Sequence, residues 1–358
     1  MNKKSIRNQN KLTSYYHFMR IVTLSMLICY AKEPVINLLT ISGDYRKYKT
    51  EDWIFYAYKN KQMYESQIMK KKILIVSGSN ALFGMDAKQI ESSTGVPTVN
   101  LGVHAGLGID YILYQAKKTL KPGDIVLLPL EFSLYHESKD DQLLSNTLLR
   151  KYIISYDHDY LSQLSLIEKL KVILYPSGIS QEDIDVIAAI LKNESPFDKN
   201  RVYSRILERV HTGKCYTGIA LNRNGDETCN IGKSPTEDIK NKKLIDPVPK
   251  KPIDTSGSIR DFCIYAKQHK ITVIPLYPAL LFNLNYDSNN YKIYFSQIKT
   301  FWLEQGFLFQ DSPSQSFLEE KMMFNTIYHP NDKGRTLRTE NVINLLKNYL
   351  SKPNVGKF

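Results

Sequence analysis

The chain has 358 residues, of which 42% are hydrophobic and 11% aromatic. This composition is typical of a folded chain with a substantial core and excludes disorder over most of the length. The formal net charge of +12 would suit a nucleic-acid partner, but the lysines are scattered and form no stripe interleaved with aromatic residues. We therefore expect no nucleic-acid partner.

The N-terminus combines basic residues with a short apolar run. Five Lys and Arg residues precede Ile21–Ala31, and no acidic residue occurs before Glu33. This order is typical of a secretory signal or a membrane anchor, although a span needs about 20 apolar residues. We expect residues 1–45 to be a signal or anchor with a lead-in, with anchoring through residues 18–42; the alternative is a buried amphipathic helix. The chain would then be exported to the periplasm or another extracytoplasmic compartment, with the leader either cleaved or retained.

Strands and helices alternate from residue 72 onward. Apolar runs at 72–77, 97–102, 125–131, 271–278 and 306–311 predict five strands, and residues at helical spacing between them predict helices. Nearly continuous apolar strands are typical of a parallel sheet that is covered on both faces. We expect an α/β fold, a doubly wound and mostly parallel five-stranded sheet, in one domain over residues 46–350 followed by a tail at 351–358.

Residues 137–255 interrupt this alternation and predict a largely helical insertion. Within it, Cys215 and Cys229 bracket a short polar segment with turn signals at Asn222 and Asn224-Gly225-Asp226. The spacing fits no zinc pattern, and no metal site is predicted. In an oxidising compartment, a disulfide would stabilise this loop, so we expect the Cys215–Cys229 bond if the chain is exported.

Polar residues follow the predicted strands where a doubly wound sheet binds ligands, beyond the carboxyl ends of the strands. The segment Ser77-Gly78-Ser79-Asn80 follows the first strand, and a serine there can present its hydroxyl in front of helix N-terminal amides. The alternative is an ordinary turn. Asn100 and Gly102 end the second strand, Glu131 ends the third, and His329 precedes the last helix. A Ser-His pair is the minimum for acyl transfer.

These residues resemble the SGNH/GDSL hydrolase superfamily. Ser79 in "GSN" is similar to the nucleophile block, Gly102 in "NLG" to the second block, and His329 in "HPNDKG" to the last block. The layout looks most like the exported polysaccharide O-acyltransferases and esterases of alginate acetylation and teichoic-acid alanylation. The resemblance covers residues 70–136 and 256–350. It implies a flavodoxin-like SGNH fold, catalysis without a cofactor, and an oxyanion hole that includes the amides of Ser79 and Gly102.

The chain departs from the family pattern at two blocks. Glu131 stands where the family has an oxyanion-hole asparagine, so Asn80 or Asn100 would have to donate instead. Thr326 stands where the family has its acid, and Asn325 is the nearest residue that could orient His329. We place His104, Glu131, Asn222 and Asp226 as candidates for substrate contacts.

The resulting functional hypothesis is an exported serine esterase or O-acyltransferase that acts on ester groups, such as O-acetyl, of cell-envelope or extracellular polysaccharide. One alternative is a catalytically silent relative that binds glycan or assists envelope assembly. Another is a cytoplasmic nucleotide-binding protein, which would need the leader to be a core helix.

Overall fold

A computed structural model describes residues 50–139, 143, 146–174, 199–241 and 245–351. The predicted leader, residues 1–45, and the tail beyond residue 351 lie outside these residues. Backbone contacts divide the chain into two units, Met1–Lys47 with Pro176–Val202 and Tyr48–Tyr175 with Tyr203–Phe358. Apart from the first four residues of one helix, Lys199–His211, every element below belongs to the second unit.

Four parallel strands form the central sheet. They are β1 (Ile73–Ile75), β2 (Thr98–Asn100), β3 (Ile125–Pro129) and β4 (Thr272–Leu276), in the order β2-β1-β3-β4. In this register Ile73 lies opposite both Thr98 and Ile125. All residues of β1, β2 and β3 are buried, as their apolar runs predict for strands covered on both faces. The α/β class and the parallel sheet are confirmed.

The helices described are α1 (Thr50–Ser66), α2 (Ser79–Gly84), α3 (Ala87–Thr94), α4 (Ile109–Thr119), α5 (Thr147–Tyr156), α6 (His158–Gln163), α7 (Leu166–Leu174), α8 (Lys199–His211), α9 (Glu237–Asn241), α10 (Ser258–Gln268), α11 (Asn289–Glu304), α12 (Pro313–Ser316) and α13 (Asp332–Leu350). None of the described helices is long and apolar enough to cross a membrane.

Helices cover both faces of the sheet. Leu74 and Val126 share one buried cluster with residues of α1, α4, α10 and α11. Ile73 and Ile125, which point the other way, share a second cluster with residues of α3 and α13. The alternation of side chains along each strand divides the core in this way.

The lead-in to the first strand is a helix that the sequence analysis did not predict. Helix α1 begins with Glu51 and Asp52 in its first turn, where acidic side chains suit the positive end of the helix dipole. It buries Trp53, Ile54 and Ala57 in the larger core cluster. This helix is therefore part of the α/β core.

The fifth strand predicted at residues 306–311 is not formed, and the described sheet has four strands. Helix α11 is followed by Gly306 in a left-handed conformation, φ +79°. A cavity of about 360 Å³ is lined by Thr272 and Ile274 of β4 and by Phe307 and Leu308 of this segment. The segment thus borders a cavity beside β4 and makes no ladder with it.

Two small strand pairs follow the sheet. Strands β5 (Leu280–Leu281) and β6 (Phe317–Leu318) pair in parallel, and β7 (Met323–Thr326) and β8 (His329–Pro330) pair antiparallel. In the second pair, Thr326 lies opposite His329 and Met323 lies opposite Pro330. Asn331 then caps α13 by accepting from the Gly334 N–H. This hairpin and cap fix the backbone of His329.

Candidate active site

Ser79 is the first residue of α2 and follows β1 after a turn of three residues. The turn needs glycine, because a Cβ on Gly78 would lie 2.5 Å from the backbone nitrogen of Ala105. Gly102 is under a similar constraint, since its Cβ would lie 2.5 Å from the Ala81 Cβ. These close approaches bring the turn after β1 and the loop after β2 together. Ser79 itself is half-buried.

The imidazole of His329 faces the Ser79 hydroxyl. Ser79 Oγ lies 2.8 Å from His329 Nε2, which is a hydrogen-bond distance between residues 250 positions apart. The ring of His329 is buried and stacks on Phe83, with 4.6 Å between the centroids. The α2 helix thus supplies both the hydroxyl and the aromatic surface that holds its partner.

Asn325 orients the other side of the imidazole. Its Oδ1 lies 2.9 Å from His329 Nδ1. A carbonyl oxygen only accepts, so this contact places the ring proton on Nδ1 and leaves Nε2 able to accept from Ser79. Thr326 does not reach the ring; its hydroxyl accepts from the Tyr328 N–H.

Burial controls the ionisation of His329. Desolvation is the larger of two effects that lower the pKa of His329 to about 3, and the electrostatic interaction with the nearby His104 is the smaller. No carboxylate opposes them, because the residue on Nδ1 is an amide. The ring is therefore neutral, and able to take a proton, throughout the neutral pH range.

Tyr216 is a site residue that the sequence analysis missed. Its hydroxyl lies 3.1 Å from His329 Nδ1 and accepts from Asn325 Nδ2, also at 3.1 Å. Its ring packs against Phe83 and Trp53. Its φ of +61° is unusual for a bulky residue. The signal available in the sequence was its position next to Cys215.

The sulfurs of Cys215 and Cys229 lie at bonding distance, 1.90 Å apart, with their Cα atoms 5.3 Å apart. The bond closes the loop that carries Tyr216. The covalent closure and the packing of Tyr216 on Phe83 join this part of the predicted insertion to the candidate site.

Glu131 holds the turn around Ser79. Its carboxylate accepts from the N–H groups of Gly78 at 3.1 Å and Asn80 at 2.8 Å, and from the Ser77 hydroxyl at 2.5 Å. Desolvation raises the pKa of this buried carboxyl, and these hydrogen bonds act in the opposite direction. Glu131 therefore holds the turn that carries Ser79 through these three hydrogen bonds. The substrate contact expected for Glu131 is corrected to a structural role.

The side-chain amides of Asn80 and Asn100 are directed away from Ser79. Asn80 Nδ2 donates to the carbonyls of Ala279 and Tyr328. Asn100 Nδ2 donates to the Ala81 carbonyl and to Asp226. The oxyanion-hole role expected for these two asparagines is wrong, because their donors are already committed to buried acceptors.

Asp226 and Asn222 serve the fold. Asp226 is fully buried, accepts from the N–H groups of Ala87 and Lys88 at the start of α3, and also accepts from Asn222 Nδ2. These contacts anchor the 215–229 loop on the sheet domain. The substrate contact expected for Asp226 is corrected to a structural role, because its carboxylate is fully buried; the contact expected for the half-buried Asn222 stays a prediction.

A buried lysine on α1, which the sequence analysis also missed, joins three segments near the site. Lys61 Nζ donates to the carbonyls of Asn100, Gly102 and Gly225 at 2.7–2.8 Å. Burial lowers the pKa of Lys61 to about 7, and the carboxylates of Asp226 and Glu227 act in the opposite direction. Lys61 thereby fixes the backbone of the loop that follows β2.

His104 lies in the loop that follows β2, next to Ala105, which lies against Gly78. Its Nδ1 accepts from the Gly106 N–H at 2.9 Å, and its ring packs against Trp53 with 5.9 Å between the centroids. Desolvation lowers the pKa of His104. A neutral ring with Nδ1 as acceptor carries its proton on Nε2.

Within the described part of the chain, no group of three or more His, Cys, Asp or Glu side chains could hold a metal ion. Comparison with known protein families, curated proteins and solved structures found no match to this chain.

Proposed function

We propose that this protein is a serine esterase or O-acyltransferase with Ser79 as nucleophile and His329 as general base. The observation that carries the proposal is the 2.8 Å contact between Ser79 Oγ and His329 Nε2, with Asn325 holding the opposite ring nitrogen. A hydroxyl paired with a neutral imidazole that a third group orients is the arrangement used for nucleophilic acyl transfer.

In the proposed reaction, the Ser79 proton passes to His329 Nε2 as Oγ bonds to the ester carbonyl carbon. The tetrahedral oxyanion collapses, and the departing alcohol takes the proton from His329. Water in an esterase, or a sugar hydroxyl in a transferase, then attacks the acyl-serine. His329 accepts the proton of the attacking group and returns it to Ser79, so the chain itself needs no cofactor for this cycle.

We infer that the fold is the doubly wound, flavodoxin-like arrangement of the SGNH/GDSL superfamily. The positions of Ser79 after β1, Gly102 after β2 and His329 before the last helix support this relationship. Helices on both faces of a parallel sheet support it further. The exported O-acyltransferase and esterase branch remains our proposed relative.

We propose that the substrate is an acylated cell-envelope or extracellular polysaccharide and that the protein works outside the cytoplasm. The basic and apolar N-terminal segment supports export, with anchoring through residues 18–42. The Cys215–Cys229 pair supports an oxidising compartment.

Hydrolysis of an activated acetyl ester by the purified protein tests the proposal. We expect turnover by the wild type and its loss in Ser79→Ala. Ser92→Ala is the matched control, since Ser92 is exposed on α3 and its hydroxyl donates to the Lys88 carbonyl of the same helix. A Ser79→Ala variant as active as the Ser92→Ala control would contradict the assignment of the nucleophile.

The second candidate is a silent glycan-binding member, and the amide at position 325 favours it. An amide orients the imidazole but does not stabilise its positive charge during proton transfer as a carboxylate would. This candidate predicts that acetylated polysaccharide binds equally to wild type and Ser79→Ala, with no acetate released by either.

A further inference from the structure

The backbone donors around Ser79 are mostly occupied. Gly78 and Asn80 donate their N–H groups to Glu131. The Gly102 N–H, which the resemblance would place in the oxyanion hole, donates to Asn100 Oδ1 at 3.0 Å. Of the four N–H groups considered, that of Ser79 has no acceptor among the described residues.

A single N–H is a weak oxyanion hole. Loss of one donor from such a site costs roughly 10²–10³ in kcat in a well-studied protease, and these sites ordinarily combine two or three donors. The asparagine side chains near the turn cannot supply another, because Asn80 and Asn100 donate to buried acceptors elsewhere. The proposed reaction therefore needs a further donor from outside the family pattern.

The imidazole of His104 has the chemistry and the position for this task. It follows Gly102 by two residues, and Ala105, its neighbour in sequence, lies against Gly78. The Gly106 N–H bonded to Nδ1 fixes the tautomer, so Nε2 carries the proton. Nε2 has no hydrogen-bond acceptor among the described residues, and the ring is half-buried.

Neighbouring residues hold the ring in place. A Cβ at position 106 would lie 2.9 Å from His104 Nδ1 and Cε1, so glycine there allows the backbone to approach the ring closely. Trp53 packs on His104 and also on Tyr216, and Tyr216 in turn contacts His329. One chain of side-chain contacts thus joins the imidazole of His104 to that of His329, which contacts the Ser79 hydroxyl.

We propose that His104 is a catalytic residue whose Nε2–H donates, together with the Ser79 N–H, to the oxyanion formed on the substrate carbonyl. This assignment rests on the proposed function and adds a residue to it. His104 remains neutral throughout the cycle, and no proton leaves it. A neutral donor suits the site because a second charged imidazole near His329 would weaken the base.

Kinetics of the full-length protein on an activated acetyl ester test the assignment. We expect His104→Ala to lower kcat by roughly 100-fold, with KM changed by less than about twofold, because the interaction forms only in the transition state. His104→Gln, whose side-chain amide can donate in place of the ring, should recover at least about tenfold of that loss. His158→Ala, at an exposed histidine on α6, is the control and should match the wild type.

Four outcomes would overturn the assignment. Wild-type kcat in His104→Ala rejects the donor while leaving Ser79 and His329 in place. A higher KM at unchanged kcat would make His104 a ground-state binding residue. If His104→Ala fails to fold, a folded His104→Gln with no more than a hundredth of wild-type kcat rejects it. A wild type that does not turn over the ester, or whose turnover is unchanged in Ser79→Ala, rejects the proposed function together with this inference.

Discussion

Asn325 gives His329 its orientation without giving it a counter-charge. The amide oxygen lies 2.9 Å from Nδ1 and holds the ring proton there, and burial lowers the pKa of the ring to about 3. Since the folded pKa lies below the usual value near 6.5, the base form persists as the pH falls from 6.5 towards 3. The same shift means that the unfolded chain takes up a proton over this range and the folded chain does not. His329 therefore contributes stability above pH 6.5 that is lost as the pH falls towards 3.

Asn325→Asp should add the missing negative charge. An adjacent carboxylate favours the imidazolium form, so we expect the acidic limb of the kcat/KM profile to rise by about 1–3 pH units. Stabilisation of the charged ring in the transition state should raise kcat at neutral pH by about tenfold or more. The measurement is a pH–rate profile for ester hydrolysis.

Asn348→Asp is the matched control, because Asn348 is an exposed residue near the end of α13. It makes the same change in charge far along the helix from His329 and should leave the profile unmoved. An identical profile for Asn325→Asp and wild type would mean that the amide does not tune His329.

Helix α1 contributes to the site through one buried ammonium group. Lys61 Nζ donates to carbonyls at the end of β2, in the loop that follows it, and in the 215–229 loop. The helix therefore fixes the approach of two segments that are far apart in sequence.

Lys61→Met should destabilise the protein by about 3 kcal/mol or more, because it leaves three buried carbonyls without a donor at roughly 1–3 kcal/mol each. Urea unfolding measures the loss. Lys59→Met on the exposed side of the same helix is the control and should change the free energy of unfolding by less than about 0.5 kcal/mol. Equal stabilities of the two variants would contradict the role given to Lys61.

The loop between Cys215 and Cys229 carries the tyrosine that contacts His329 Nδ1. The two cysteines are 14 positions apart, and closing a loop of this size stabilises a fold by about 3 kcal/mol in the chain-entropy account. Removing the bond should therefore affect both stability and catalysis.

The double variant Cys215→Ala/Cys229→Ala is expected to unfold at lower temperature and to lose kcat, because Tyr216 is no longer held at its unusual φ of +61°. Calorimetry and ester hydrolysis measure the two effects. Cys263→Ala removes the buried cysteine of α10 and leaves the bond intact, so its kcat should stay at the wild-type level. A double variant with wild-type kcat would separate the disulfide from the site.

Across the whole molecule, the sequence predicted the features that depend on neighbouring residues, such as buried strands and the end of a helix. The apolar runs located β1, β2, β3 and β4, and the glycine at position 95 ends α3 with φ +71°, as expected of a helix C-terminus. The run at 306–311 is also largely apolar, but it forms no ladder with β4 and borders a cavity that residues of β4 also line. Pairing depends on a neighbour that the run itself does not specify.

The residues of the candidate site likewise fall into those that the sequence predicted and those that it did not. The contact of Ser79 with His329 was expected because parallel strands end at one edge of a sheet. Tyr216 and Lys61 were missed because they lie in the 215–229 loop and on helix α1, away from the strand ends, so no shared sheet edge predicts their contacts. Asn80 and Asn100 were misassigned because an asparagine amide can donate to an oxyanion. The sequence does not reveal that both amides instead donate to buried carbonyls.

Reaction with a serine-directed fluorophosphonate probe, followed by mapping of the labelled peptide, tests the pairing of Ser79 with His329 most directly. The probe needs an activated hydroxyl but no knowledge of the natural substrate. We predict stoichiometric label on Ser79 in the wild type and little label in a folded His329→Ala variant, which lacks the base. Label on another residue, or equal labelling of Ser79 with and without His329, would contradict the account.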